Sequence, residues 1–86
     1  MSDTTFNGYF NYHTWNASLY IQNEYKFYKA AVSYVSFVKE LGQPVNYEDF
    51  IQNFRDLLGY VTPDGVSWTD PALDTDELTE MLADLC

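Results

Sequence analysis

A nucleophile–base pair needs Ser, Thr or Cys within reach of a base. In "NYHTWNASLYIQN", Asn11–Asn23, the only histidine, His13, stands beside Thr14 and five residues before Ser18. Acyl transfer would be the matching chemistry. The spacing supplies neither an orienting acid nor an oxyanion hole, so His13 is read as a helix-start or surface residue and no enzyme is expected. Metal chemistry fares no better. His13 and Cys86 cannot build a zinc site alone, and the acidic tract Asp64–Asp76 lacks the alternating acids, central Gly and closing Glu of a calcium loop. The four glycines are isolated, so no phosphate-cradling loop is present. No cofactor and no metal are expected.

The remaining chemistry is acidic. Residues 1–44 hold Asp3, Glu24 and Glu40 against Lys26, Lys29 and Lys39, whereas residues 45–86 hold ten acids against Arg55 alone. The whole net charge of −9 therefore belongs to the second half. Asp76, Glu80 and Asp84 are successive fours on the last expected helix, with Glu77 beside them and Asp70 and Asp74 just upstream. Like charges at that spacing cost about 0.2–0.5 kcal/mol per pair, and no lysine or arginine is close in sequence to relieve them. Such a row is either a merely soluble face or a surface for a basic groove, an imitation of a phosphate backbone included. Glu48, Asp49 and Asp56 form a second acidic group. Direct binding to nucleic acid is disfavoured, because phosphates would be repelled.

Helices must position these residues. The first is expected from Thr14, as N-cap, to about Gln22, with Trp15 and Leu19 pointing inward together, and Asn23 capping the next. In "EYKFYKAAVSYVSFVKEL", Glu24–Leu41, Lys26, Lys29, Ser33, Ser36 and Glu40 trace one narrow wet stripe on an otherwise apolar helix. That marks a central, aromatic-rich helix, stopped by Gly42 and Pro44. Asn46 caps a third helix, Tyr47 to Leu58, with Tyr47, Phe50, Ile51, Phe54, Leu57 and Leu58 as its apolar face. Pro63-Asp64-Gly65 is turn chemistry, so residues 60–68 form either a short hairpin or a loop anchored by Trp68. A last helix begins at Asp74 or Thr75, with Leu78, Met81, Leu82 and Leu85 inward. The arm before residue 14, with a turn-prone Asn7-Gly8, is expected to be irregular and packed down by Phe6, Tyr9, Phe10 and Tyr12.

The expectation is one mainly α domain over residues 1–86, a compact bundle of about four helices. Eight Tyr, six Phe and two Trp supply the core of a chain this short. A lone Cys86 excludes an intramolecular disulfide framework, the start lacks a basic region followed by an apolar run, and no apolar stretch reaches membrane-span length. A cytoplasmic protein away from membranes is expected.

Asn11-Tyr12-His13-Thr14-Trp15-Asn16, followed by "ASLYIQNE", resembles small, functionally uncharacterised proteins of phages, plasmids and cyanobacteria marked by N-Y-x-T-W-N. Glu is common there where this chain has His13, which weakens a catalytic histidine. The resemblance implies a genomic context rather than an activity. Small acidic proteins of such elements are often non-enzymatic inhibitors of restriction, CRISPR or transcription machinery. The expected function is binding and blocking of a basic host protein through Asp70, Asp74, Asp76, Glu77, Glu80 and Asp84, with Glu48, Asp49 and Asp56. The alternative is a structural or adaptor module that oligomerises through exposed aromatics, monomer and homodimer both being open.

Overall fold

The computed structural model describes residues 9–85, which form five helices: α1 (Tyr12–Asn23), α2 (Tyr25–Glu40), α3 (Tyr47–Asn53), α4 (Arg55–Leu58) and α5 (Thr75–Ala83). The fold is mainly helical. Phe6, the Asn7-Gly8 pair and Cys86 lie outside the described residues.

Helix α1 starts earlier than expected. Asn11, not Thr14, is the N-cap, its Oδ1 accepting the Thr14 N–H at 2.8 Å. Thr14 is the third helical residue and is buried. Trp15 and Leu19 are only half-buried; the inward side is Thr14, Asn16, Ala17, Ser18 and Ile21. A face of small and hydrogen-bonding residues breaks the apolar periodicity that sequence patterning detects. Asn23 belongs to the last turn of α1, donating to the Leu19 carbonyl at 3.0 Å, and Glu24 starts α2 without a side-chain cap. Of the arm's aromatics, Tyr9 is half-buried, but Phe10 and Tyr12 are exposed.

Helix α2 carries the wet stripe as read: Lys26, Lys29, Ser33, Ser36 and Glu40 are all exposed. Phe27, Ala30, Ala31, Tyr34, Val35 and Val38 are buried. The buried side is narrower than expected, because Tyr25, Tyr28, Phe37 and Leu41 also reach solvent. A Schellman motif ends the helix: Gln43 N–H donates to the Val38 carbonyl and Gly42 N–H to that of Lys39, with Gly42 at φ 75°.

The single helix expected over residues 47–58 is broken at Phe54 (φ −119°, ψ 26°) into α3 and α4. No Gly or Pro lies there. Tertiary anchoring accompanies the break, for the Leu58 carbonyl accepts the Trp68 Nε1–H at 3.0 Å, and Leu58 is buried while Leu57 is exposed. Asn46 is the N-cap as read, accepting the Asp49 N–H at 2.9 Å. Residues 60–68 are a minimal hairpin with one antiparallel bridge, Val61 to Ser67. Its turn closes through Gly65 N–H to the Thr62 carbonyl. Trp68 is fully buried, edge-on to Phe27 with ring centroids 5.7 Å apart. The Tyr47 hydroxyl donates to the Trp68 carbonyl at 2.7 Å, and burial pushes that hydroxyl far above its ordinary pKa.

Candidate functional site: histidine and acids

The polar residues of α1 have partners in the second half of the chain. Asn11 Nδ2 donates to the Ala72 carbonyl at 2.6 Å, and Thr14 Oγ1 accepts the Asp74 N–H at 2.9 Å. Asn16 is fully buried; its Oδ1 accepts from Thr62 Oγ1 at 2.7 Å and its Nδ2 donates to Asp64 Oδ2 at 2.8 Å. Three amide or hydroxyl side chains thus clasp α1 to the hairpin turn and to the segment entering α5. Among the described residues no buried side-chain N or O lacks a hydrogen-bond partner. Tyr20 also lies against Asp64, and its hydroxyl is raised in pKa by partial burial and by that carboxylate.

His13 sits on the half-buried margin, its ring edge-on to Tyr12 at 5.8 Å. The hydroxyls nearest in sequence are engaged elsewhere. Thr14 holds the Asp74 N–H, and Ser18 donates to Tyr9 Oη at 2.9 Å while accepting from Gln22. Among the described residues no three His, Cys, Asp or Glu side chains are grouped to hold a metal ion.

The nine candidate acids separate into two kinds. Four hold local structure. Asp74 is the N-cap of α5, accepting the Glu77 N–H at 3.0 Å, and Glu77 accepts the Phe10 N–H at 2.8 Å. Asp70 accepts the Ala72 N–H at 2.8 Å, and Asp49 accepts from the Tyr34 hydroxyl at 3.0 Å. Burial raises the Tyr34 pKa, its bond to the Asn46 backbone opposing and Asp49 adding to the shift. The other five, Glu48, Asp56, Asp76, Glu80 and Asp84, are exposed. Asp76, Glu48 and Asp56 each lie in the first turn of a helix, where the macrodipole favours an anion. Glu80 stands beyond that turn, and Asp84 is the C-cap of α5, where the dipole opposes a negative charge.

Two open grooves gather five of these acids. One, of about 470 Å³, is walled by Glu77, Glu80 and Asp84 with Tyr9, Gln22 and Met81. The other, of about 510 Å³ between α3 and the segment after Trp68, includes Glu48 and Asp70 together with Arg55. Asp49, Asp56, Asp74 and Asp76 line neither. One cation missing from the sequence neighbourhood arrives through the fold: Lys39 Nζ donates to the Ala83 carbonyl at 3.0 Å. The end of α5 therefore has a lysine beside it, contrary to the linear reading. Nothing in local sequence signals this contact, since it joins residues far apart in the chain.

The chain belongs to a family of unknown function, DUF7249, whose family model matches residues 2–86. No curated protein and no solved structure matches it. Among the described residues, no helix is long and apolar enough to cross a membrane.

Proposed function

We propose that the protein is a small non-enzymatic binder, encoded by a phage or mobile element, that acts in the host cytoplasm. Its acidic second half engages a basic surface of a host protein that handles nucleic acid and blocks that surface. The observation that carries this reading is the placement of Glu80 and Asp84. The other acids of α5 cap it, tie down residue 10 or complement its dipole, whereas these two do none of these things and wall a groove. Asp84 stands at the end of α5 that disfavours an anion. A residue that the helix dipole opposes, with only Lys39 nearby to offset it, and that still lines a surface fits selection for contact. Met81 and Tyr9 in the same groove would take the apolar stem of a lysine or arginine whose head meets the carboxylates.

The test combines affinity capture from host lysate with charge-neutral variants. A basic protein retained at low salt should be released as ionic strength rises. Its retention should drop at least tenfold with Glu80→Gln/Asp84→Asn, while the thermal stability of that variant stays level or rises. Retention indifferent to salt and to both substitutions would sink the reading.

A further inference from the structure

We infer that Asp64 is a site of spontaneous backbone isomerisation to isoaspartate, and that α1 sets the rate through its clasp on the hairpin. Asp64-Gly65 is the one Asp-Gly pair in the chain. It lies at the exposed tip of the hairpin, with Gly65 at φ 90°. The nitrogen of a glycine is the least hindered nucleophile that can follow an aspartate, because no Cβ shields it. Open space adds to this, for nothing lies within 4 Å of the place a Cβ would take at Gly65. In the reaction the Gly65 nitrogen attacks Cγ of the protonated Asp64 side chain. An N–Cγ bond forms, the amide hydrogen and the carboxyl hydroxyl leave as water, and a succinimide ring results. Water then adds to one of the two ring carbonyls and breaks its bond to nitrogen. Opening at Cγ restores aspartate. Opening at the main-chain carbonyl leaves the chain running through Cγ, longer by one methylene.

Two sets of contacts oppose the attack. The Gly65 N–H donates to the Thr62 carbonyl at 2.8 Å, so the nitrogen cannot shed its proton while the turn is closed. Asp64 Oδ2 accepts from Asn16 Nδ2 at 2.8 Å, and the Tyr20 hydroxyl lies against the same carboxylate. Both donors stand on α1 and restrain the swing that brings Cγ onto the nitrogen. Conversion therefore proceeds from molecules in which the turn has opened locally. The product acts back on the fold. Its displaced carboxylate no longer meets Asn16, whose buried Nδ2 keeps only the Tyr12 hydroxyl at 3.4 Å. A buried donor left with so long a bond weakens the docking of α1, and protein aged in solution divides into clasped and unclasped forms.

The test incubates the full chain near neutral pH and follows its tryptic peptides by reversed-phase chromatography and mass spectrometry. Isoaspartate appears as a same-mass isomer of the peptide after Arg55, placed at residue 64 by fragmentation. Deamidation at Asn7-Gly8 raises the mass and maps to a different peptide. Folded wild type should convert at least tenfold more slowly than the same chain in urea. Asn16→Ala should quicken conversion about fivefold, the factor that one lost hydrogen bond makes in a local opening equilibrium. Tyr20→Phe removes the second donor with little loss of packing and should quicken it as well. Tyr47→Phe loses a bond at the base of the hairpin rather than its tip and should keep the wild-type rate. The isolated isoaspartyl form should melt below the unmodified protein. Equal rates in wild type, Asn16→Ala and Tyr20→Phe, an equal gain in Tyr47→Phe, or no isoaspartate at residue 64 in any folded variant would overturn the proposal. Far-UV circular dichroism verifies that the variants are folded.

Discussion

Replacing Asn16 by Ala isolates the clasp between α1 and the hairpin. Asn16 is 0% exposed and bonds Thr62 Oγ1 at 2.7 Å and Asp64 Oδ2 at 2.8 Å. Loss of the neutral bond to Thr62 costs about 1 kcal/mol. The bond to Asp64 is charge-assisted, but this carboxylate is exposed, so a similar figure of about 1 kcal/mol applies. The vacated volume adds about 1 kcal/mol, and the better helix propensity of Ala returns about 0.6 kcal/mol. The expected net loss is about 2–3 kcal/mol, or roughly 10–20 °C in Tm for a domain of this size. Urea denaturation followed by tryptophan fluorescence measures it, since Trp68 is fully buried.

A double-mutant cycle with Thr62→Val isolates the pair. That substitution also removes the bond from the Val66 N–H to Thr62 Oγ1, but the loss occurs on both sides of the cycle and cancels. A coupling of about 1 kcal/mol is expected. Asn16→Asp sharpens the result by setting a second carboxylate against Asp64. Proximity raises the folded-state pKa of the pair above the unfolded value, so stability is greatest at acid pH and is lost as pH rises through that raised value. Asn16→Asp should therefore be worse than Asn16→Ala at pH 7 and recover toward pH 4. A loss under about 0.5 kcal/mol for Asn16→Ala, or zero coupling, would refute the clasp.

Alkaline stability should report Tyr47. Its buried hydroxyl is raised above the ordinary value of 10.0, so its contribution is intact below pH 10 and lost above it, at about 1.4 kcal/mol per pH unit, as the unfolded tyrosine ionises. Tyr47→Phe should cost about 1–2 kcal/mol at pH 7 and make the alkaline slope shallower by one proton; an unchanged slope would contradict the assignment. Gly59 has φ 73° and ψ −156°, a region held almost only by glycine, and a Cβ there meets nothing within 4 Å. Gly59→Ala should cost about 1–3 kcal/mol through backbone strain alone. Asn, which tolerates only the left-handed helical region, should not rescue it; full rescue would show that the turn relaxes.

Legibility in the sequence follows the range of the interaction concerned. The exposed stripe of α2, the Asn46 cap and the Asp74 cap depend on neighbours within a turn, and residue types at fixed offsets report them. The break at Phe54 coincides with a long-range anchor, the Leu58 carbonyl held by the Trp68 indole, and no Gly or Pro marks it. The inward face of α1 escapes apolar periodicity because hydrogen bonds fill it. Thr14, Asn16 and Ser18 resemble solvent-facing residues until their partners at Asp74, Thr62, Asp64 and Tyr9 are known. Among the candidate acids, sequence gives type and helical position. Which of them hold Phe10, Ala72 or Tyr34, and which stand clear, is a matter of packing.

The clasp bears on what the run Asn11 to Asn16 does in this chain. The distinctive run Asn11 to Asn16 places Asn11, Thr14 and Asn16 on the chain at Ala72, at Asp74 and at Thr62 with Asp64. Chains that retain those three residue types retain the means to dock the same hairpin and the same entry to α5. The run is therefore a constraint of folding in this chain, and it speaks for architecture before activity. His13, the one position in the run with chemical potential, sits half-buried against Tyr12, and no hydroxyl beside it in sequence is free for it to activate. The proposed function rests instead on residues that the architecture can do without, Glu80 and Asp84. Substitution there should change association while sparing stability, and substitution in the clasp should do the reverse.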